Sequence, residues 1–456
     1  MKRALLLFLL ALIPFTAGAE EGDTLHLLQD LIRIDTSNPP GNEIKAADFV
    51  KNRLAHDGID SEIIESAPGR GNLIARLKGN GSKPAMILLG HLDVVPADPK
   101  EWDVPPFSAT VKDGMIWGRG ALDMKSLDAM EIETFLRLKR DQIPLAGDVI
   151  LALVADEEAG SAKGAEFLVN KHWDKIEAKF VLNEGSVGVI KNGLHIYPIQ
   201  VAEKGIAWMQ LTTHGTSGHG SMPTKDNAVL KLVRTITRLA RHRFPMRKTP
   251  VLEAFLEKIA PHLPWYQRLG VRALFAPVIG PVIQKIAGPF LAKDKEINAI
   301  LSDTLTPTML NAGYKVNVIP AEASASIDGR VLPGETPESL REKVEKVVGD
   351  GVDVSFISKS DPNESPFDTD YFRVIEDEIK KQDPEAITAP MISAGGTDSR
   401  FFREKGEIAY GIGPLLLTED LLGGMHGKNE RIPADQLDRG TDIVYNIVKR
   451  MEGLNP

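Results

Sequence analysis

The pattern of apolar and polar positions predicts two helices followed by an alternation of strands and helices. Between Thr24 and His56, apolar residues recur at helical spacing on both sides of the turn-rich T-S-N-P-P-G-N. Short apolar runs with strand character follow, at 72–77, 85–89, 149–154 and 180–182. Helical periodicity lies between them, at 125–140 and 162–169. Buried runs that alternate with helices predict an α/β fold whose sheet is covered on both faces.

Polar residues collect where the predicted strands end. Acidic, amide or imidazole side chains follow three of the runs at once, namely His91 and Asp93, then Asp156, Glu157 and Glu158, then Asn183 and Glu184. Open α/β sheets place their ligand crevice at the carboxyl ends of the strands. The sequence therefore predicts a functional site at this edge of the sheet.

A smaller unit is predicted to interrupt the larger one. From about Gly205 the chain changes to an α+β pattern, with strands at 208–213 and 323–327 and helices at 227–241 and 337–348. Motifs that resemble those of the first part return later, as A-G-G-T-D-S-R at 394–400 and M-H-G-K-N-E at 425–430. We therefore predict one domain formed by residues 20–200 and 361–456, with a second domain of residues 201–360 inserted into it.

The N-terminus has the pattern of an export signal. It combines two cations, an apolar run from Ala4 to Ile13, and the small residues Ala17 and Ala19 at A-x-A spacing. Cleavage after Ala19 is expected, and the mature protein is predicted to be periplasmic or secreted. The apolar run is well short of the ~20 residues that span a bilayer. No later segment is long enough either, so we predict no integral membrane span in the mature chain.

Composition narrows the chemistry. With 456 residues, 43% hydrophobic and 26% charged, the chain is typical of a soluble globular protein with more than one core. It has no cysteine, so thiolate catalysis and thiolate-bound zinc are excluded, and any metal must be bound by His, Asp or Glu. A net charge of −9 without a basic stripe argues against nucleic acid as a partner.

Each candidate site residue also has an ordinary structural interpretation. His91 suits a metal, with Asp93 as the acceptor that fixes its tautomer, although a lone histidine at a strand end is more often simply hydrogen-bonded. Asp123, in G-R-G-A-L-D-M-K-S, precedes a predicted helix, where an aspartate is more often an N-cap. Glu157 and Glu158 are adjacent in a short loop, so their carboxylates are expected to point apart and to have different roles.

Glu184 and His426 complete the set of candidates. One bridging carboxylate, with one histidine and one further acid for each ion, makes a site for two divalent metals about 3.5–4 Å apart. Imidazole and carboxylate ligands of this kind favour zinc, with cobalt and manganese as alternatives. We therefore predict two divalent ions per chain.

Several motifs occur in the order found in one family. They are G-H-L-D-V-V-P, W-D-V-P-P-F, D-G-M-I-W-G-R-G-A-L-D-M-K, D-E-E-A-G, G-H-G-S-M-P, N-V-I-P, D-G-R-V-L-P-G and G-G-T-D-S-R. The chain thereby resembles the M20 metallopeptidases, which include aminoacylase-1, succinyl-diaminopimelate desuccinylase, glutamate carboxypeptidase and the carboxypeptidase S group. The resemblance covers nearly the whole mature chain except residues 245–305.

The resemblance implies a role for each metal-site residue. It implies that Asp123 bridges two metals and that Glu157 is the general base. It assigns the remaining positions to one metal or the other, with His91 and Glu184 on the first, Glu158 and His426 on the second, and Asp93 as the support of His91.

The resemblance also implies a zinc-peptidase-like mixed sheet carrying an inserted α+β lid. Such lids often mediate dimerisation, so a homodimer through the lid is expected. His219 of the lid would reach the oxyanion. Asn317 and Arg330 resemble residues that hold a substrate carboxylate, and Arg400 is a further candidate for substrate binding. The ordinary alternatives are a surface-loop histidine, a turn asparagine and a solvated or salt-bridged arginine.

Residues 245–305 form an apolar insert in the predicted lid. Leu252, Phe255, Leu256 and Ile259 follow helical spacing, and the many prolines indicate several short helices. One interpretation is that this stripe packs on the lid sheet or on a second subunit. The other is that it lines an apolar groove for a long acyl chain or a hydrophobic peptide side chain.

The predicted reaction is hydrolysis of an amide bond next to a free carboxylate. The substrate is a small peptide, cleaved by a carboxypeptidase or dipeptidase, or an N-acyl amino acid; the sequence leaves this choice open. A desuccinylase-type deacylase is less compatible with export. A non-catalytic exported binding protein is the alternative from another class. It would need a damaged ligand or general base, and the sequence retains all of them, namely His91, Asp123, Glu157, Glu158, Glu184 and His426.

Overall fold

A computed structural model describes residues 23–291 and 293–454. The predicted export signal, residues 1–19, lies outside the described residues. The elements up to residue 203 are α1 (Asp23–Arg33), α2 (Glu43–His56), β1 (Ser61–Ala67), β2 (Arg70–Leu77), β3 (Met86–His91), β4 (Thr110–Lys112), β5 (Met115–Trp117), α3 (Lys125–Arg140), β6 (Val149–Val154), α4 (Ala165–Lys171), α5 (Trp173–Ile176), β7 (Phe180–Lys191) and β8 (Leu194–Glu203).

The remaining elements fall into two stretches of chain. Up to residue 360 they are β9 (Gly205–His214), β10 (Gly218–His219), α6 (Ala228–Arg241), α7 (Pro250–Ile259), α8 (Trp265–Leu274), α9 (Gly280–Leu291), α10 (Lys295–Leu301), β11 (Thr304–Ala312), β12 (Val318–Ile319), β13 (Glu322–Val331), α11 (Pro337–Val348) and β14 (Val352–Ser360). After it they are β15 (Asn363–Glu364), α12 (Asp370–Gln382), β16 (Ala386–Ser393), α13 (Ser399–Glu404), β17 (Ile408–Thr418), α14 (Glu419–Leu422), β18 (Arg431–Pro433) and α15 (Leu437–Met451).

The large sheet is mixed and is covered on both faces, which confirms the predicted fold class. Its main path runs β1-β2-β6-β3-β7-β17-β8-β15, and β16 pairs with β8. Strands β6, β3, β7 and β17 are parallel to one another. Alternate residues of β6 enter two different cores: Leu151 and Leu153 lie on the side of α3 and α15, and Ile150 and Val154 on the side of α4 and α13.

Strand β7 is longer than its apolar run. The sequence predicted a strand that ends at Leu182, before Glu184, and this boundary is wrong. The strand continues to Lys191 because its outer half pairs with β17 and forms a hairpin with β8. The pairing with β17 is irregular between Glu184 and Val187. Glu184 therefore lies inside a strand, at an irregular position, rather than in a loop.

Residues 205–360 contain a second, antiparallel sheet of order β11-β13-β9-β14. Alternate residues of β9, such as Met209 and Leu211, face a core that includes Leu232 of α6 and Leu340 of α11. Strands β11 and β14 are the edges of this sheet, and β11 is exposed from residue 306 to residue 312. The role of this unit as a lid, and the exact domain boundaries, stay predictions.

The insert forms four short helices, α7 to α10, as its prolines indicated. The apolar stripe of α7 does not pack on the smaller sheet: Ile259 is buried against Ile196 of β8 and Ile387 of β16, with Phe255 beside them. Of the two interpretations of this stripe, the one in which it packs against another part of the protein is correct. The surface that it packs on is the large sheet, however, and not the smaller one. Among the described residues, no helix is both long and apolar enough to cross a membrane.

Candidate metal centre

His91 ends β3, and its two ring nitrogens face different groups. Nδ1 lies 2.9 Å from the backbone oxygen of Asp93, and Nε2 lies 3.1 Å from Asp123 Oδ1 and 3.7 Å from Glu184 Oε2. Because a carbonyl only accepts, Nδ1 is the donor there, and this hydrogen bond fixes the ring with Nε2 towards the carboxylates.

The carboxylate of Asp93 has a different role from the predicted one. It was expected to orient His91, but its Oδ1 lies 3.6 Å from Nδ1, and the backbone oxygen makes the hydrogen bond instead. The two carboxylate oxygens accept from the backbone N–H of Glu157 at 3.0 Å and of Glu158 at 3.2 Å. Asp93 therefore supports His91 through its main chain and holds the glutamate turn through its side chain.

Asp123 lies between two histidines. Its Oδ1 faces His91, and its Oδ2 lies 2.9 Å from Nε2 of His426. It is not the N-cap of α3, because that position is Met124 and no side chain caps the helix. The N-cap interpretation of Asp123 therefore fails, and its carboxylate faces the site with both oxygens.

The ligand-type side chains form two groups that share Asp123. One group is His91, Asp123 and Glu184, and the other is Asp123, Glu158 and His426; within each group the ligand atoms lie within 4.8 Å of one another. This is the grouping that the family resemblance implied. Carboxylate and imidazole donors suit zinc, cobalt and manganese, so the residues present fit two divalent ions, whose identity the donors alone do not decide.

Glu157 belongs to neither group, although its neighbour Glu158 does. The two residues lie in a 3₁₀ turn, Glu157–Ala159, which follows Asp156 with its left-handed φ of 71°. Glu158 Oε1 is 3.2 Å from His426. Burial, and then the charge of Glu184, raise the pKa of the Glu157 carboxyl well above its usual range. A carboxylate of raised pKa beside a metal group suits proton transfer.

The turn is held by buried charges that the sequence analysis did not select. Asp156 Oδ1 accepts from Arg70 at 2.8 Å and from Asn38 at 3.2 Å. Arg70 also donates to Glu43 at 2.6 Å. Arg70 lies in the glycine-rich G-R-G-N at residues 69–72, at the start of β2. Asn38 lies in the turn-rich segment between α1 and α2. Through its hydrogen bond to Asp156, this segment helps to hold the turn that carries Glu157.

Glu430 is a further residue that the sequence analysis missed. It is buried, and it accepts from Arg119 and from the backbone N–H groups of Gly120, Leu122 and Asp123, at 2.6 to 3.1 Å. These bonds fix the loop that carries the shared carboxylate. Glu430 could have been selected from the sequence, because it is the last residue of the motif M-H-G-K-N-E.

We expect Glu430→Gln to lower metal affinity by about 10- to 100-fold, because the amide places donors against backbone donors and the loop of Asp123 shifts. Metal titration of the variant measures this. The matched control is Glu452→Gln, since Glu452 also accepts two backbone N–H bonds, from Ala146 and Gly147, but far along the chain from the ligands. Equal metal affinities of the two variants would assign Glu430 a purely structural role.

Metal binding is expected to release protons. Hydrogen bonds to Asp123 and Glu158 raise the pKa of His426 to about 10 in the metal-free chain. Burial lowers the pKa of His91, but the charge of Glu184 and the bond to Asp123 raise it well above its usual value. Both imidazoles are thus protonated at pH 7, whereas a ligand must be neutral.

The sign of the pH dependence follows. Metal affinity should rise as the pH rises towards about 10, the pKa of His426, and calorimetry at pH 7 in two buffers of different ionisation enthalpy should show about two protons released per chain. In the metal-free protein these ion pairs stabilise the fold fully below about pH 6.5 and are lost as the pH rises through the raised pKa. Proton release near zero would contradict the assignment of both histidines.

The predicted substrate residues are not gathered at the cluster. Among the described residues, no hydrogen bond or ion pair joins His219, Asn317 or Arg330 to a metal-group residue. His219 is exposed and forms a hydrogen bond with Ser221 at 2.8 Å; it lies in β10 and pairs with Val318 of β12, the residue after Asn317. Arg330 is paired with its neighbour Asp328 at 2.8 Å.

Arg400 makes a direct contact with the glutamate turn. Its Nη2 donates to the backbone oxygen of Gly160 at 3.0 Å, and its guanidinium lies 4.5 Å from the ring centre of Phe401. The nearby Asp398 is buried among acids, and burial raises the pKa of its carboxyl to about 7. Among the predicted substrate residues, Arg400 is therefore the one that contacts the end of the turn carrying Glu157.

Comparison with known proteins identifies the family. The model of peptidase family M20/M25/M40 matches residues 87–450, which is more than half of the chain. The chain belongs to the M20 peptidase family. The family consists of hydrolases, and it includes the metallopeptidase and aminoacylase relatives described next, so this M20 chain is a hydrolase.

Two curated relatives and one solved structure show the breadth of the family. The chain is 31% identical over 390 residues to bovine (Bos taurus) N-fatty-acyl-amino acid synthase/hydrolase PM20D1, covering 81% of this chain and 75% of that protein. It is 29% identical to mouse (Mus musculus) aminoacylase-1, covering 94% and 96%. The M20 metallo-carboxypeptidase Sso-CP2 of Sulfolobus solfataricus shares the fold, with a TM-score of 0.71, 23% identity and coverage of 95% and 100%.

Proposed function

We propose that this M20 chain is an exported hydrolase that cleaves an amide bond next to a free carboxylate. It uses two divalent metal ions for this reaction, and zinc is the metal we favour. The observation that carries the proposal is the position of Asp123, which faces a histidine with each oxygen while each histidine has its own glutamate. A carboxylate shared in this way can hold two ions close together, as the chemistry of a two-metal hydrolase needs. Export rests on the N-terminal pattern at 1–19 and gives a periplasmic or secreted enzyme.

Glu157 is the proposed general base. Two bound ions would supply Lewis acidity, which lowers the pKa of an attacking water and polarises the scissile carbonyl. Glu157 accepts the proton of that water and passes it to the leaving amine. Its buried position favours the protonated form after the first transfer, because burial raises its pKa. Asp93 keeps the Glu157 backbone in place through the 3.0 Å hydrogen bond.

Substrate binding is proposed for four further residues. His219 is assigned to the stabilisation of the oxyanion. Because His219 is exposed in the structure, this role requires the smaller unit to move towards the two ligand groups. Asn317 and Arg330 are assigned to the substrate carboxylate, and Arg330 must then exchange its pair with Asp328 for the substrate. Arg400 is assigned to the same end of the substrate, supported by its contact with Gly160.

N-acyl amino acids are the substrate class we favour. The bovine relative is named for fatty-acyl amino acids, and it is similar to this chain over most of its length. We expect kcat/KM to rise along the series of N-acetyl, N-octanoyl and N-oleoyl derivatives of one amino acid, by about tenfold or more between the first and the last. The reason is that each buried CH₂ of the acyl chain contributes ~0.8 kcal/mol to binding.

The same panel separates the competing functions. Each compound is assayed with added zinc or cobalt beside a set of dipeptides and beside the amides of the best acids. Amides should be poor substrates, because they lack the carboxylate that the arginines bind. Faster cleavage of dipeptides than of any acyl amino acid would assign a carboxypeptidase or dipeptidase instead. Metal binding without any hydrolysis would support a non-catalytic binding protein.

A further inference from the structure

Helices α8 and α9 expose an apolar surface to solvent. The α8–α9 surface comprises eight large side chains, each between 53% and 86% exposed, which are Trp265, Tyr266, Leu269, Val278, Ile279, Val282, Ile286 and Phe290. Soluble proteins rarely expose contiguous apolar patches of this kind unless they mark an interaction site.

The exposed residues belong to two paired helices and, for Val278 and Ile279, to the turn that joins them. In α9, Val282, Ile286 and Phe290 recur at intervals of four and so form one stripe along the helix. The two helices contact each other, and Gln284 of α9 donates to the backbone oxygen of Leu274 in α8 at 3.1 Å. Leu274 and Gly280 are buried at the turn between them. The helix pair therefore folds with one face packed and its apolar side chains outside.

The same segment has only positive charges. From Lys258 to Lys293 the sequence contains no Asp or Glu, although the whole chain has a net charge of −9. Arg268, Arg272, Lys285 and Lys293 are exposed, and none of the four makes an ion pair with a described side chain. An acidic protein thus presents one basic, apolar helix pair.

We propose that the α8–α9 surface docks on an anionic lipid surface. Helices that lie in a membrane interface combine Trp, Phe and aliphatic side chains on one side with Lys and Arg on the other. Anionic headgroups attract each nearby cation, while the apolar side chains enter the boundary of the acyl chains. Each element of this combination is present on α8 and α9.

A second copy of the chain fits this surface less well. A two-fold interface places the same patch against itself. It would bring the four cations of one copy near the four cations of the other, and the stretch 258–293 has no acid to pair with them. Like charges across an interface are unfavourable. The charge of the segment therefore favours a negatively charged partner surface.

The test is vesicle binding by the chain from Glu20 onward, which removes the predicted signal. The protein is sedimented with vesicles of phosphatidylcholine alone and with vesicles containing about 30% phosphatidylglycerol. We expect binding to the anionic vesicles only, weakened at least tenfold in about 0.5 M salt. Trp265 should show a blue-shifted emission on binding, absent in a Trp265→Phe variant.

Two variants and one matched control identify the surface. Removing the four cations by Arg268→Gln, Arg272→Gln, Lys285→Gln and Lys293→Gln should lower the partition coefficient at least tenfold, as should Val282→Ser, Ile286→Ser and Phe290→Ser combined. The control removes four exposed lysines elsewhere, by Lys51→Gln, Lys100→Gln, Lys112→Gln and Lys346→Gln, and should bind as the unmodified chain does.

Three results would overturn the proposal. The first is equal binding to neutral and anionic vesicles. The second is a loss of vesicle binding in the lysine control variant equal to that in the variant without the four cations. The third is the absence of vesicle binding together with a dimer that the serine variant converts to a monomer. The last result would assign the surface to a second copy. Vesicle binding is measured without substrate, so its outcome is independent of whether the proposed hydrolase activity is correct.

Discussion

Glu157→Gln should lower kcat by about 10³-fold and leave about two metal ions bound per chain. The amide has nearly the same shape as the carboxylate but cannot accept the proton of the attacking water. Glu157 lies outside both ligand groups, so the ligand atoms stay in place. Metal content by elemental analysis and single-substrate kinetics, measured on the same preparation, check the two parts separately.

The outcome distinguishes two roles for Glu157. Retained metal with lost hydrolysis identifies the proton-transfer group. Loss of one metal together with activity would make Glu157 a ligand, and unchanged activity would remove it from the mechanism. Glu166→Gln is a suitable control, because this glutamate follows the same loop, in α4, and belongs to neither ligand group.

Asp123→Ala should have the largest effect on metal content. Because Asp123 is the residue that both groups share, its loss weakens both sites, and we expect fewer than about one ion per chain and activity lowered by about 10³-fold or more. Glu184→Ala and Glu158→Ala each remove a ligand from one group only, so each variant should keep about one ion.

Stoichiometry therefore tests the geometry. The three variants are compared by elemental analysis after dialysis against the same zinc concentration. If Asp123→Ala retains as much metal as Glu184→Ala, the carboxylate does not bridge, and the two groups bind their ions independently. Treatment of the unmodified chain with a chelator should abolish hydrolysis, and restoration by zinc, cobalt or manganese ranks the metals.

The ligand positions are visible in the sequence because each lies in a short motif that combines glycine or a turn residue with an acidic or imidazole side chain. Asp123 shows the limit of local information: its position before a helix suggested a cap, and only two distant histidines reveal its role. For His91 the spacing to Asp93 was informative, but it does not distinguish a side-chain oxygen from a backbone oxygen. The structure places the backbone oxygen at 2.9 Å.

The supporting residues were missed for a physical reason. Asp156 and Arg70 are separated by 86 residues, and Glu430 and Leu122 by 308, so no local pattern relates the partners. A similar limit applies to α7, where the apolar stripe indicates that a face is buried but not which surface covers it. In β7, the polar stretch from Asn183 to Ser186 suggested a strand end, whereas backbone pairing with β17 is indifferent to side-chain polarity.

The position of β17 has a consequence for biosynthesis. This strand lies in the interior of the large sheet, between β7 and β8, although it is formed by Ile408–Thr418, far along the sequence from both neighbours. A growing polypeptide released before residue 418 would present the edge of β7 without its neighbour, and an unpaired edge of this kind promotes aggregation. His426 follows β17 by only a few residues. Ribosomal synthesis must therefore pass β17 before the sheet can close, and must reach His426 before the second ligand group can assemble; a product truncated before residue 408 gains neither.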